Sequence, residues 1–138
     1  MDVTKLRDEL MAEEGLRLNP YHDSTGYLSI GYGRCLDTAG ITKEEALYLL
    51  DNDITRTCRE LDRLLPWWRM LDDARARALA SMAFNLGVGG LMKFSMMLAA
   101  LKSGDWHTAA AEALDSKWAR QVGDRATRIA DIFRANRG

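Results

Sequence analysis

Glu14, Asp23 and Ser29 are the residues whose types and spacing could do acid–base chemistry together. Glu14 falls at the C-terminal end of a helix, next to the negative pole of the helix dipole, an environment suited to a proton donor. Asp23 falls in a hairpin loop, where water keeps a carboxylate ionised. Two carboxylates in different environments are what glycoside hydrolysis requires, one giving a proton and one serving the opposite face of the sugar. Ser29 falls on the following strand, with a hydroxyl able to hold a water beside Asp23. A Glu at a helix end and an Asp in a turn are also ordinary surface residues. By itself, Asp23-Ser24-Thr25-Gly26 reads equally as a plain turn.

Other constellations carry less chemistry. His22 and His107 are the only histidines, and neither has the Cys or carboxylate spacing of a metal site. His22-Asp23-Ser24 is no triad, because adjacent side chains point apart. Gly31-Tyr32-Gly33 and Gly87-Val88-Gly89-Gly90 lack the Lys-Ser/Thr of a phosphate loop. Of Trp67, Trp68, Trp106 and Trp118, at least three are expected to anchor helix packing rather than stack on sugars. Met96 and Met97 read as core filler. Residues 72–86 followed by 95–102 look like a helix-turn-helix, but the charge balance argues against DNA.

The elements that must position these groups read mostly as helix. Val3, Leu6 and Leu10 share one face of a helix over 3–14, with Asp2 as N-cap and Gly15 as its stop. Residues 16–33 read as a turn-rich β-hairpin, with Tyr21, Leu28 and Ile30 interrupted by Pro20 and several glycines. Thr42 and Glu45 form a capping box. A long stripe follows, from Leu47 through Leu50, Ile54, Cys58 and Leu61 to Leu65. That helix must end before Pro66, and its length suits a connector between lobes. Asp72 or Asp73 caps a helix reaching to about Leu86, closed by a loop at Gly87–Gly90. Further helices fit 95–102, 105–114 and roughly 124–135. The expected architecture is a helical body with a small hairpin lobe and a cleft between them, the natural place for a ligand.

Size and composition agree with one domain. The chain has 138 residues, 47% hydrophobic and 28% charged, which excludes a disordered or fibrous chain. Its longest charge-free run, Ala78–Met92, contains Asn85 and three glycines and is too short and polar to span a bilayer. The charged N-terminus has no apolar segment behind it, so no secretory signal is expected. Cys35 and Cys58 are expected to stay reduced. Residues 1–65 carry 8 Lys/Arg against 13 Asp/Glu, net −5, and residues 115–138 carry 6 against 3, net +3. Only the C-terminal segment offers a modest basic face.

Three stretches sharpen this reading: Glu14-Gly15-Leu16-Arg17-Leu18, Tyr21-His22-Asp23, and the run from Gly26 to Gly33. With them the chain resembles the T4-type phage lysozymes, endolysins that cut peptidoglycan. That family carries a Glu, an Asp nine residues on, and a Thr six residues later. The likeness continues in order through Ile41–Ala46, Phe84–Gly87 and Ser116-Lys117-Trp118 to Arg125-Ala126 and Phe133-Arg134.

The resemblance implies a mainly α (α+β), lysozyme-like fold. The hairpin lobe would cover about 15–41, the connecting helix about 42–65, and the helical lobe 66–138 together with helix 1. It implies a cofactor-independent muramidase, active as a monomer on bacterial peptidoglycan, with no metal, no nucleic-acid partner and no stable membrane insertion. Such a protein waits in the host cytoplasm until its release to the cell wall. Glu14 would be the general acid, Asp23 would serve the attacking water, and Ser29 would hold that water. Cleavage would invert the anomeric carbon, which needs carboxyls roughly 6.5–9.5 Å apart. Arg125 matches a family arginine that pairs with the catalytic Glu, and Phe84, Asn85 and Glu112 fall at sugar-contacting positions.

The sequence departs from the family pattern in places. Ser29 stands for a Thr and loses the methyl that restricts its rotamer. Asn85 is one methylene shorter than the Gln of the best-known member. Met97 and Glu112 replace two polar cleft residues, and the stretch from Arg34 to Gly40 is short. Two other activities fit the same surface, a wall-binding protein without turnover and a lytic transglycosylase, which makes an anhydro-sugar without needing Asp23.

Overall fold

The computed structural model describes residues 1–136. The last two residues of the expected helical lobe, 137 and 138, lie outside the described residues. The chain divides into two compact units, Met1–Leu49 and Leu50–Gly138. Among the described residues, eight helices and one three-stranded sheet make the mainly α fold expected.

The first unit begins with α1 (Val3–Glu14). Its Asp2 cap accepts from the Lys5 N–H at 3.0 Å, and Gly15 closes it with φ +71°. Helix α1 thus groups with the sheet in the first unit, and none of its residues is buried. The sheet has the order β1 (Arg17–His22), β2 (Leu28–Gly31), β3 (Arg34–Cys35), all antiparallel. The expected hairpin therefore carries a third, two-residue strand. Register shifts between Arg17 and Tyr21, where Pro20 sits on the edge strand and cannot donate to a ladder.

Helix α2 (Lys43–Leu64) starts as its sequence dictates. The Glu45 N–H donates to the Thr42 hydroxyl, and the Thr42 N–H donates to the Glu45 carboxylate. Its apolar stripe is only partly covered. Leu61 is buried, as is Leu65 just beyond the helix, whereas Leu47, Leu50 and Ile54 stay 39–49% exposed. Periodicity identifies a face; it does not supply what covers it.

The second unit holds the core. After a single 3-10 turn at Trp68–Met70 come α3 (Asp73–Leu86), α4 (Val88–Leu91), α5 (Ser95–Ser103), α6 (Trp106–Leu114), α7 (Lys117–Val122) and α8 (Asp124–Arg134). Helix α8 buries Ala126, Ile129, Ala130 and Phe133, one face at helical spacing. It packs on α6, whose buried residues are all alanines, Ala109, Ala110 and Ala113. Small side chains let the two axes approach closely, since the residues at the contact set the interaxial distance. Trp68 and Trp118 are buried, and Trp67 and Trp106 pack half-buried against the same core.

Three local expectations change. Gly87–Gly90 is not a loop. Val88 and Leu91 are buried and make a short helix, with Leu91 and Met92 donating to Gly87 and Val88 carbonyls. Burial of two apolar residues outweighs the glycines' poor propensity. Helix α7 was not foreseen; Ser116 caps it by accepting from the Ala119 N–H at 3.0 Å. Met97 is fully buried core, but Met96 is 62% exposed and fills no core.

Arg75 is the largest surprise, a guanidinium on α3 only 3% exposed. Nε donates to the Phe133 carbonyl at 2.7 Å, Nη1 pairs with Asp72 at 2.8 Å, and Nη2 donates to the Ala135 carbonyl. The group lies 3.9 Å from the centroid of the Trp106 ring. One side chain thereby satisfies carbonyls at the C-terminal end of α8, which has no intrahelical donors for them.

Candidate active site

Glu14 is the last residue of α1, and the Gly15 N–H turns back to the Met11 carbonyl at 3.1 Å. The chain leaves the helix there and enters β1. The Glu14 side chain reaches the turn between β2 and β3. It lies over the face of Gly33 where any other residue would carry a β-carbon, and that atom would stand 2.8 Å from Glu14 Oε2.

Asp23 heads the β1–β2 hairpin. Its N–H donates to the Tyr27 carbonyl, its carbonyl accepts from Gly26, and Gly26 has φ +88°. This is a hairpin loop in which a tight turn is followed by a left-handed glycine. The side chain organises the loop. Asp23 Oδ1 accepts from the Thr25 hydroxyl at 2.7 Å, the Thr25 N–H at 2.9 Å and the Tyr27 N–H at 3.0 Å. The Thr25 hydroxyl, helped by the backbone N–H groups and opposed by partial desolvation, holds the Asp23 carboxyl below the usual carboxylate range. Three donors converge on one oxygen, so Asp23 is both the plain turn residue and an ionised carboxylate.

Ser29 lies on the central strand β2, opposite Tyr21 on one side and Cys35 on the other, and is 3% exposed. Asp23, Ser29 and Glu14 thus come from one unit, through one hairpin and the helix that precedes it. The turn after β2 is clamped by Arg34. Its guanidinium grips both oxygens of Glu45 at 2.8 Å and donates to the Gly40 carbonyl at 3.0 Å. The Arg34 hydrogen bonds, with the Thr42 N–H, pull the Glu45 carboxyl down to about 2.

The remaining sequence-predicted residues lie in the second unit. Phe84, 42% exposed, and Arg125 line one cavity of about 680 Å³ together with Leu50, Ile54 and Trp68. Arg125 Nη2 donates to the carbonyl and hydroxyl of Ser81 at 3.2 and 3.1 Å. Asn85 accepts the indole N–H of buried Trp118 at 2.8 Å, so its Oδ1 serves the core. Glu112 lines a different, smaller cavity of about 230 Å³ with Lys93 and Asp115, and Met97 also borders it. Sequence reasoning overlooked Thr25, Gly33 and the Arg34–Glu45 clamp. An Asp followed two residues later by Thr is the local signal for the first. For the other two there is none, because they depend on which residues the sheet brings together.

Comparison with known proteins identifies the family. The family model described as phage lysozyme matches residues 11–131. The chain is 32% identical to the pre-baseplate central spike protein Gp5 of Enterobacteria phage T4, over 93% of its own length and 27% of the spike protein's. It is 28% identical to the probable T4-type lysozyme 2 of Dictyostelium discoideum, over 95% of the chain and 94% of that protein. It is 31% identical to the peptidoglycan hydrolase gp36 of Pseudomonas phage phiKMV, over 91% of the chain and 14% of that protein. The chain therefore spans about a quarter of the spike protein and a smaller part still of gp36. The match takes in Asp23, Ser29, Gly33 and Glu14 in one stretch, and nearly all of the helical core besides. The chain belongs to the phage lysozyme family.

Proposed function

We propose that the chain is a muramidase, hydrolysing the β-1,4 bond between N-acetylmuramic acid and N-acetylglucosamine in peptidoglycan. The observation that carries this reading is the placement of two carboxylates on separate elements of one unit, at the end of α1 and in the β1–β2 loop. Asp23 is locked ionised by three donors on Oδ1. Glu14 sits apart, on the end of a helix and against a glycine turn. Glycoside hydrolysis needs such a division of labour.

In the reaction, Glu14 gives its proton to the glycosidic oxygen as the C–O bond breaks and the electron pair leaves with that oxygen. Water attacks the anomeric carbon from the opposite face, so configuration inverts. Asp23 holds that water and stabilises the positive charge that grows on the sugar ring. Its Oδ1 is committed to the turn, so Oδ2 is the atom for the water. The Ser29 hydroxyl, on β2 opposite Tyr21, restrains the same water in this reading. The water's proton leaves toward the Asp23 carboxylate, which releases it to solvent, and Glu14 regains a proton from solvent. Phe84, Asn85 and Glu112 serve in this reading as sugar contacts and Arg125 as a supporting cation.

The test is digestion of purified peptidoglycan by the wild type and Glu14→Gln, with mass spectrometry of the fragments. A folded Glu14→Gln protein should lose about 10²–10⁴-fold in rate, the contribution of a general acid. Wild-type products should be heavier by one water than anhydro-sugar fragments. Anhydro products would assign the chain to transglycosylation. A folded protein that binds wall material and releases nothing would make it a binding module.

A further inference from the structure

Among the described glycines, a β-carbon would come within 3.0 Å of another atom only at Gly33; at Gly90 it would meet the Leu86 side chain at 3.3 Å and at Gly104 the Trp106 ring at 3.8 Å. A β-carbon at Gly15, Gly26, Gly31, Gly40, Gly87 or Gly123 would meet nothing within 4 Å. At Gly33 it would stand 2.8 Å from Glu14 Oε2, 3.2 Å from Cδ and 3.5 Å from Cγ. We propose that Gly33 is a positioning residue for catalysis: its missing side chain is the seat of the Glu14 carboxyl, and the turn holding it is a fixed backstop. The inference rests on the reading of Glu14 as the general acid.

The argument turns on which partner would yield. The turn is held on its far side. Ile30 pairs with Arg34 in the sheet, and the Arg34 guanidinium is tied to both Glu45 oxygens and to the Gly40 carbonyl. Glu14 is exposed at the end of α1, with a flexible side chain. A methyl group at position 33 would therefore displace the carboxyl rather than the turn, from 2.8 Å to at least the 3.4 Å of ordinary contact. The fold accommodates that shift readily. Catalysis does not, because a misplacement of about 1 Å in a reacting group can cost roughly 100-fold.

Backbone strain must be separated from this contact. Gly33 has φ +80° and Gly31 has φ +72°, so alanine is strained at both positions. Only at Gly33 does the new methyl meet Glu14. Gly31→Ala is thus the matched control, two residues away at the end of β2 where that turn begins.

The experiment measures kcat and KM on soluble peptidoglycan strands for the wild type, Gly31→Ala, Gly33→Ala, Glu14→Asp, Glu14→Asp with Gly33→Ala, and Glu14→Gln. Folded fraction comes from thermal melts. Per folded molecule, Gly33→Ala should lose about 10- to 100-fold in kcat with KM unchanged, while Gly31→Ala stays close to wild type. The Glu14→Asp carboxyl is one methylene shorter and clears the methyl. Its cost should therefore be smaller in the Gly33→Ala background than in the wild type, a coupling that a purely structural role would not create. Equal kcat losses in Gly31→Ala and Gly33→Ala, or independent effects of Glu14→Asp and Gly33→Ala, would overturn the positioning role. Full activity of Glu14→Gln would overturn the general-acid reading and this inference with it. An inactive Glu14→Gln beside equal glycine variants would overturn this inference alone.

Discussion

Replacing Arg75 with methionine should destabilise the second unit severely, although the position is remote in sequence from every candidate catalytic residue. Methionine keeps most of the apolar stem and removes all the donors. Two carbonyls at the end of α8, those of Phe133 and Ala135, would lose their partner. Each buried unsatisfied group costs about 1–3 kcal/mol. The ion pair with Asp72 would also go, together with the stacking of the guanidinium on Trp106. These terms share one side chain and do not simply add. Asp72 is one-third exposed, so water takes over its charge and the pair adds at most about 1 kcal/mol; with the buried Phe133 carbonyl the expected total is about 2–4 kcal/mol. With an unfolding entropy of about 2.1 cal/mol/K per residue, the 138-residue chain should melt about 7–14 °C lower. Urea titration followed by tryptophan fluorescence reads the loss as a lower midpoint at an unchanged slope. Arg77→Met is the control, because its pair with Asp73 is exposed and worth at most about 1 kcal/mol. A loss below about 1 kcal/mol for Arg75→Met, or equal losses for the two variants, would refute the clamp.

Two further predictions concern the site. Thr25→Val removes the main influence that holds Asp23 below the usual carboxylate range, so the Asp23 carboxyl should rise. In the proposed reaction Asp23 works ionised, so activity would be lost as pH falls through its titration. The acid limb of the kcat/KM profile should therefore move to higher pH in the variant, with neutral-pH activity largely kept; superimposable limbs would show that Asp23 does not set that limb. Ser29→Thr keeps the hydroxyl and adds a methyl at a position only 3% exposed. It should preserve or raise activity in a peptidoglycan digest, with a packing cost of about 1–3 kcal/mol at most in a melt; a large loss of kcat would mean that Ser29 does not hold the water.

Local chemistry was the legible part of this chain. The Thr42–Glu45 capping box, the Asp2 and Asp72 caps and the Gly15 stop were readable because each is settled within a few residues. The spacing of Glu14, Asp23 and Ser29 was readable for the same reason, as was the hairpin. What escaped depends on partners far along the chain. Arg75 sits in an amphipathic helix, where an arginine normally reads as solvent-facing, and its burial depends on carbonyls 58 and 60 residues away. Gly33 reads as a turn glycine until the end of α1 is seen to arrive against it. Val88–Leu91 is helical because two side chains are buried, which its glycines conceal. Charge composition likewise gave no sign of the Arg34–Glu45 pair, since a surface Arg and Glu are too common to single out.

That pair has an evolutionary side. By joining the start of β3 to the start of α2, it closes a small ring, within which Asp37 accepts from the Leu28 N–H and the Gly40 carbonyl is held by Arg34. Thr38 and Ala39, at the exposed rim, are the natural place for chain to be added. For such a tethered loop, each doubling of length costs only about 0.6 kcal/mol in closure entropy. Chain could therefore be added to or removed from this lobe while the turn that seats Glu14 stays where it is.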